Sequence, residues 1–246
     1  MWKKKLYIKN NLTPFSLNRS KIDLYFDCSR CFYLDQKYGI KRPHGTPLVI
    51  NNFVVNHFKN ILNNFRVNQK VFPESIKINK NLIPSNTELL EVWNHPFKGI
   101  NYVDKKTNLK IKATIDDIWK CTTSENNYPV IIKSTSRRKN ISSENIWPGY
   151  WKQLSLYSYL LNKNNIKVGT TGILVYLNTS ENTPNENKKI DFEQLIFERE
   201  LDLTWVEPTL DKIYKNLNSS DMPDSGNNCK YCRYQINIQN VIDGKF

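Results

Sequence analysis

With 246 residues and 39% hydrophobic content, the chain is long enough to bury one sizeable core, which excludes a fibrous or disordered class. Its most apolar runs, such as residues 172–177, are far too short to span a bilayer, and no apolar run follows the basic start Met-Trp-Lys-Lys-Lys. A soluble cytoplasmic protein with no membrane partner is therefore expected. Thirty-six Lys/Arg against 23 Asp/Glu leave a formal charge of +13, which favours a polyanionic partner, most simply nucleic acid.

In chain order, residues 16–38 read as one helix, capped by Ser16 or Ser20, with Ile22, Tyr25, Phe26, Phe32 and Tyr33 on its apolar face. Cys28 and Cys31 lie within this pattern at i and i+3. Gly39 is a natural stop. A second helix is expected over 51–66, with Val54, Phe58, Ile61, Leu62 and Phe65 facing inward. From Glu88 the texture turns β-like: 89–93, 99–103, 109–119 and 129–135 read as strands between polar turns. A helix follows over 148–162, opened by Pro148 in its first turn. Strands are expected at 168–178 and 192–201, joined by a polar hairpin loop over 179–189. A helix over 205–217 and an irregular tail close the chain. Helices first, then a mostly antiparallel run of strands, then helix, strand, strand and helix predict a three-layer α/β sandwich with a mixed central sheet.

Two C-x-x-C pairs, Cys28/Cys31 and Cys229/Cys232, stand near opposite ends of the sequence. A C-x-x-C turn presents two thiolates on one side of a bend. Two such turns make a closed four-sulfur site, the ligand set of structural zinc or of an iron–sulfur cluster. Disulfides are disfavoured without a secretory signal, and would leave Cys121 over.

A second constellation combines Asp116 at the end of one expected strand with Lys133 on the next. Two carboxylates followed by a lysine suit phosphodiester hydrolysis: the acids hold Mg²⁺ and the lysine orients water and offsets phosphate charge. Gln153 and Tyr157 follow on the 148–162 helix at i and i+4, on one face.

Taken in this order, the motifs resemble the RecB-like branch of the PD-(D/E)XK nucleases, which includes CRISPR adaptation nucleases and the iron–sulfur nuclease domain of AddAB. The resemblance runs over roughly residues 20–235. Residues 28–35, Cys-Ser-Arg-Cys-Phe-Tyr-Leu-Asp, are similar to the family's cysteine-flanked helix. Residues 113–119 resemble its second motif, 133–136 the tail of its third, and 151–157 its Gln-x-x-x-Tyr helix.

The resemblance implies a restriction-endonuclease-like core in a single domain over 1–246. Its helical N-terminal part would cover about 15–70, its core about 88–217 and a cysteine segment 218–246. It also implies a [4Fe–4S] cluster on Cys28, Cys31, Cys229 and Cys232, with zinc open because the family's best-known members distribute the cysteines one and three rather than two and two. Asp116, with Lys133, Gln153 and Tyr157, would form a Mg²⁺- or Mn²⁺-dependent DNA-cleaving site, and His57 matches an early histidine that contacts the metal. DNA is the implied substrate, within a repair or CRISPR-type complex. Arg137, Arg138 and Lys139 would grip phosphates beside the site.

One departure bears on activity. The acid two residues before Lys133 is replaced by Ile131. A single carboxylate holds Mg²⁺ poorly, and along a strand Asp117 points away from Asp116. Glu91 and Glu144 are the other acids weighed for that role. The expectation is therefore DNA binding with cleavage weak or lost. The alternatives are a non-catalytic complex subunit with the same fold, and a zinc-stabilised protein–protein module.

Overall fold

The computed structural model describes residues 5–43, 45, 49–70, 72, 78, 81–86, 88–135, 141–179 and 192–245. The expected hairpin loop, and with it Arg137, Arg138 and Lys139, falls outside the described residues, save Thr179. No helix among the described residues is long and apolar enough to cross a membrane. The chain divides into two compact units, each discontinuous in sequence. Unit 1 takes residues 1–46, 103–112 and 204–246; unit 2 takes 47–102 and 113–203.

Unit 2 is built on a five-stranded mixed sheet ordered β2-β5-β6-β7-β8. Its strands are β2 (Leu82–Pro84), β5 (Asp117–Cys121), β6 (Asn127–Thr135), β7 (Thr171–Thr179) and β8 (Phe192–Glu200). The β6–β7 pair is parallel and sets Lys133 opposite Tyr176; the other pairs are antiparallel. Strands 130–132 and 173–177 are runs of Ile, Leu, Val and Tyr because both of their faces are covered. Phe58 and Leu62 of α3 (Val49–Asn68) pack on the face carrying Trp119, Val130, Ile132, Ile173 and Val175. The opposite face carries Gly172, Leu174 and Tyr176 and meets α5 (Pro148–Lys163). A Cβ on Gly172 would touch Leu154, and Tyr150 packs on Tyr176. The expected layering of helix, mixed sheet and helix is thus present in this unit.

Unit 1 contains β1 (Phe15–Asn18), α1 (Arg19–Asp27), α2 (Ser29–Tyr38), β4 (Leu109–Ala113) up to Lys112, α6 (Val206–Asn218) and α7 (Lys230–Ile242). β1 runs parallel to β4, with Phe15 opposite Leu109, and β3 (Ile100–Asp104) is divided between the two units in sequence. α6 is strongly amphipathic and buries Val206, Leu210, Ile213 and Leu217 at helical spacing. Tyr33 and Lys37 of α2 reach the Ser219 carbonyl just beyond it.

Four sequence expectations need correction. The single helix over 16–38 is a strand and two helices, broken at Cys28, whose backbone is extended. Residues 89–93 form a helix, α4 (Leu89–Asn94), not a strand: the buried side chains are Leu90 and Trp93, three apart, rather than alternate residues. Residues 109–119 are two strands separated by 114–116. The C-terminal tail is helical from Lys230 to Ile242.

Candidate functional site

Both cysteine pairs are built in the same way. Cys28 is the N-cap of α2 and Cys31 lies in its first turn; Cys229 is the N-cap of α7 and Cys232 lies in its first turn. Each pair therefore sits at the positive end of a helix, which favours the thiolate form. The Cys28 sulfur accepts the backbone N–H of Cys31 at 3.4 Å and that of Gly226 at 3.2 Å. This bonding is the reason for the helix break at Cys28: a sulfur that caps one helix cannot lie within a continuous one.

The four sulfurs converge. Cys28 lies 3.7 Å from Cys232, and Cys31 lies 3.6 Å from both Cys229 and Cys232. All four ligand atoms fall within 4.8 Å of one another, and all four residues are buried. Cys121 takes no part; it belongs to the core of unit 2, with its sulfur 3.1 Å from the Thr123 hydroxyl. The four-cysteine set can hold a metal ion such as zinc or an iron–sulfur cluster.

The surroundings treat the sulfurs unequally. Burial pushes the Cys28 thiol up, but the N–H groups of Gly226 and Cys31 outweigh it and bring it down to about 6. Burial holds Cys31 and Cys232 above the ordinary thiol range. A bound cation would displace those protons, so binding is expected to release them. The Arg42 guanidinium donates to the Cys229 sulfur at 3.1 Å, pairs with Asp27 and lies 4.8 Å from the centre of the Tyr231 ring. It offsets part of the excess negative charge of four thiolates around a divalent ion.

Gly226 leaves no room for a side chain here. A Cβ would fall 2.5 Å from the Asp27 carbonyl oxygen and 3.3 Å from Cys28 Cα. Gly226→Ala is expected to displace the N–H that bonds Cys28 and to lower metal affinity about 10- to 100-fold, the usual cost of losing an outer-shell partner. A chelator-competition titration measures this; unchanged affinity would mean that the segment relaxes freely.

The second constellation lies in unit 2. Trp93 and Asn94 of α4 pin the break at 114–116. The Ile115 N–H donates to the Trp93 carbonyl at 3.2 Å, and the Asn94 amide, oriented to donate, bonds the Ile115 and Asp116 carbonyls. Asp116 therefore stands just before β5. One of its carboxylate oxygens accepts the Ile132 N–H at 3.2 Å; the other is 3.2 Å from Lys59 Nζ on α3. Asp117 is turned inward, 2% exposed, and held by Arg66 at 2.5 Å and by the Ile118 N–H at 2.7 Å. Burial pushes its carboxyl up from the ordinary range, against the pull of Arg66. Lys59 and Arg66, seven apart on one helix, thus neutralise two adjacent aspartates.

The other predicted residues are placed as follows. Lys133 follows the residue that bonds Asp116, and its ammonium is 5.5 Å from the centre of the Tyr150 ring. Gln153 and Tyr157 are buried and hydrogen-bonded to each other, the Gln153 amide donating to the Tyr157 hydroxyl. Ile131 is fully buried. His57 is exposed on α3. Glu91 on α4 and Glu144 in a short 3-10 helix are likewise exposed. Lys59 and Arg66 are the residues that sequence reasoning missed. Their i, i+7 spacing on one helix gave no signal by itself, because only the fold sets the Asp116-Asp117 doublet against it. No family model matches the chain, and no curated protein matches it.

Proposed function

We propose that this chain is a metal-stapled, DNA-binding protein of PD-(D/E)XK type that does not cleave DNA. The observation that carries this reading is the setting of Asp116. The acid expected to hold Mg²⁺ is paired with the Lys59 ammonium, and the position meant for its partner acid is a fully buried isoleucine. An internal ammonium supplies the positive charge there in place of a metal ion. The restriction-endonuclease-like core is supported by the α3–sheet–α5 layering and by Lys133 and Gln153 on β6 and α5. The basic balance supports a DNA partner.

For the cysteine centre, the spacing favours a single tetrahedral ion. Zinc–sulfur bonds of roughly 2.3 Å put tetrahedral sulfurs about 3.8 Å apart; three of the sulfur pairs here are 3.6–3.7 Å apart, and all four sulfurs lie within 4.8 Å of one another. A [4Fe–4S] cluster sets each thiolate on a different iron and spreads the ligands further. Zinc is thus the better-supported occupant. It would supply structural cross-linking only, with the four thiolates as its complete ligand set and no open position.

The test pairs binding with cleavage. Anisotropy on single- and double-stranded DNA is expected to show binding that weakens steeply with salt, as phosphate contacts require. With Mg²⁺ or Mn²⁺, no cleavage is expected. Robust cleavage abolished by Asp116→Ala would overturn the non-catalytic reading. Absence of binding even at low salt would leave the protein–protein module.

A further inference from the structure

The charge of this protein is concentrated in one unit. Unit 1 carries 19 Lys/Arg against 9 Asp/Glu, a balance of +10, and unit 2 carries 17 against 14, or +3. The unit with the cysteine centre, rather than the one with Asp116 and Lys133, thus holds most of the attraction for a polyanion.

Beside that centre lies a groove of about 640 Å³, in the range of ligand clefts. Ile40 and Pro43 line one part of it and Tyr231 and Tyr234 another, while Lys41, Arg42 and Lys230 add three cations. No carboxylate lines it among the described residues. Tyr231 and Tyr234 stand one turn apart on α7, 43% and 68% exposed. The Tyr231 ring is already held by the Arg42 guanidinium, itself fixed by Asp27 and Cys229. Exposed rings interleaved with Lys and Arg match what an unpaired strand requires: faces on which bases stack and cations for its phosphates. Arg42 already has Asp27 as its counter-charge, but a wholly apolar partner would leave Lys41 and Lys230 desolvated without one.

We infer that this groove between the 40–43 turn and the first turns of α7 binds single-stranded DNA, with Tyr231 and Tyr234 stacking on bases and Lys41 and Lys230 contacting phosphates. The inference rests on the DNA-binding reading above and moves the main binding surface from the Asp116 region to the cysteine unit. It also couples the two functions, because the groove is positioned by the helix that carries Cys229 and Cys232.

The experiment measures anisotropy of a fluorescein-labelled oligothymidylate and of a duplex of equal length, using metal-loaded protein. Compared are wild type, Tyr231→Ala, Tyr234→Ala, Lys230→Gln and a control, Lys98→Gln, on an exposed site of unit 2. Each tyrosine change is expected to weaken oligothymidylate binding roughly 5- to 150-fold. Lys230→Gln should lower the log–log salt slope by about 1, and Lys98→Gln should leave affinity unchanged. Melting temperatures serve as a fold check, since Tyr234 is largely solvent-facing. If wild type binds DNA and both tyrosine variants bind equally well, the groove is not the site, while the DNA-binding reading stands. If wild type binds neither DNA, that reading fails first. Capture of an acidic peptide by the groove in place of DNA would likewise overturn the inference.

Discussion

Cys229→Ser will unfold or severely loosen unit 1, at a cost of at least about 4 kcal/mol, a size reserved for changes such as the loss of a metal. The reason is local. Among the residues of α7, the one buried side chain is Cys232; the helix has no apolar face of its own packed inward. Its attachment depends on the sulfur site, and metal binding is coupled to folding wherever the ligands are not preassembled. Chelation of the wild type should reproduce the mutant. Metal analysis of the purified protein should give one zinc per chain and no visible iron–sulfur absorption. The same melting temperature with and without metal would remove the staple from this account, and four irons per chain would overturn the single-ion reading.

Arg66→Met should cost about 3–5 kcal/mol at neutral pH, the penalty for leaving a buried charge without its partner. Asp117 is nearly inaccessible and depends on Arg66 for its counter-charge. The loss should depend on pH in a definite direction. Burial raises the Asp117 carboxyl above its unfolded value of 3.8, so over the pH range between that value and the folded one the native state holds a proton that the unfolded state releases. Stability from this group is therefore greatest at low pH and falls as pH rises through and above 3.8. Removing Arg66, which opposes the rise, widens that window. Thermal melts should thus find Arg66→Met closest to wild type under mildly acidic conditions and furthest from it at neutral pH. An Arg66→Met deficit that grows as pH falls would contradict this. Asp117→Asn keeps the shape and an acceptor for Arg66, and should cost less than Arg66→Met.

The cysteine centre was legible because C-x-x-C spacing is itself geometric. Two residues three apart at a helix start bring their sulfurs together whatever the surrounding fold. The break at Cys28 was not legible, since a sulfur accepting backbone N–H groups from Cys31 and Gly226 leaves no mark on apolar periodicity. Nor was Lys59, because a lysine on the polar side of an amphipathic helix reads as solvated until a carboxylate faces it. Residues 89–93 misled because Leu89, Leu90, Val92 and Trp93 make a short apolar run that periodicity alone does not assign to strand or helix, whereas tertiary burial selects Leu90 and Trp93. Tyr231, Tyr234, Ile238 and Val241 do recur at helical spacing. They are exposed rather than buried, so the pattern lacked the core that normally gives it meaning.

The discontinuity of unit 1 also matters during synthesis. Cys28 and Cys31 leave the ribosome long before the residues that complete their site. At roughly 5–20 residues per second, the 198 positions separating Cys31 from Cys229 take about 10–40 s to translate. Throughout that interval the nascent chain carries a half-site of two thiols, one of them acidified only once Gly226 has been made. Unit 2 ends at Leu203 and can close around its own sheet before the last cysteines exist. Premature oxidation of the first pair is therefore the hazard this arrangement creates, and a reducing environment during translation is what its assembly requires.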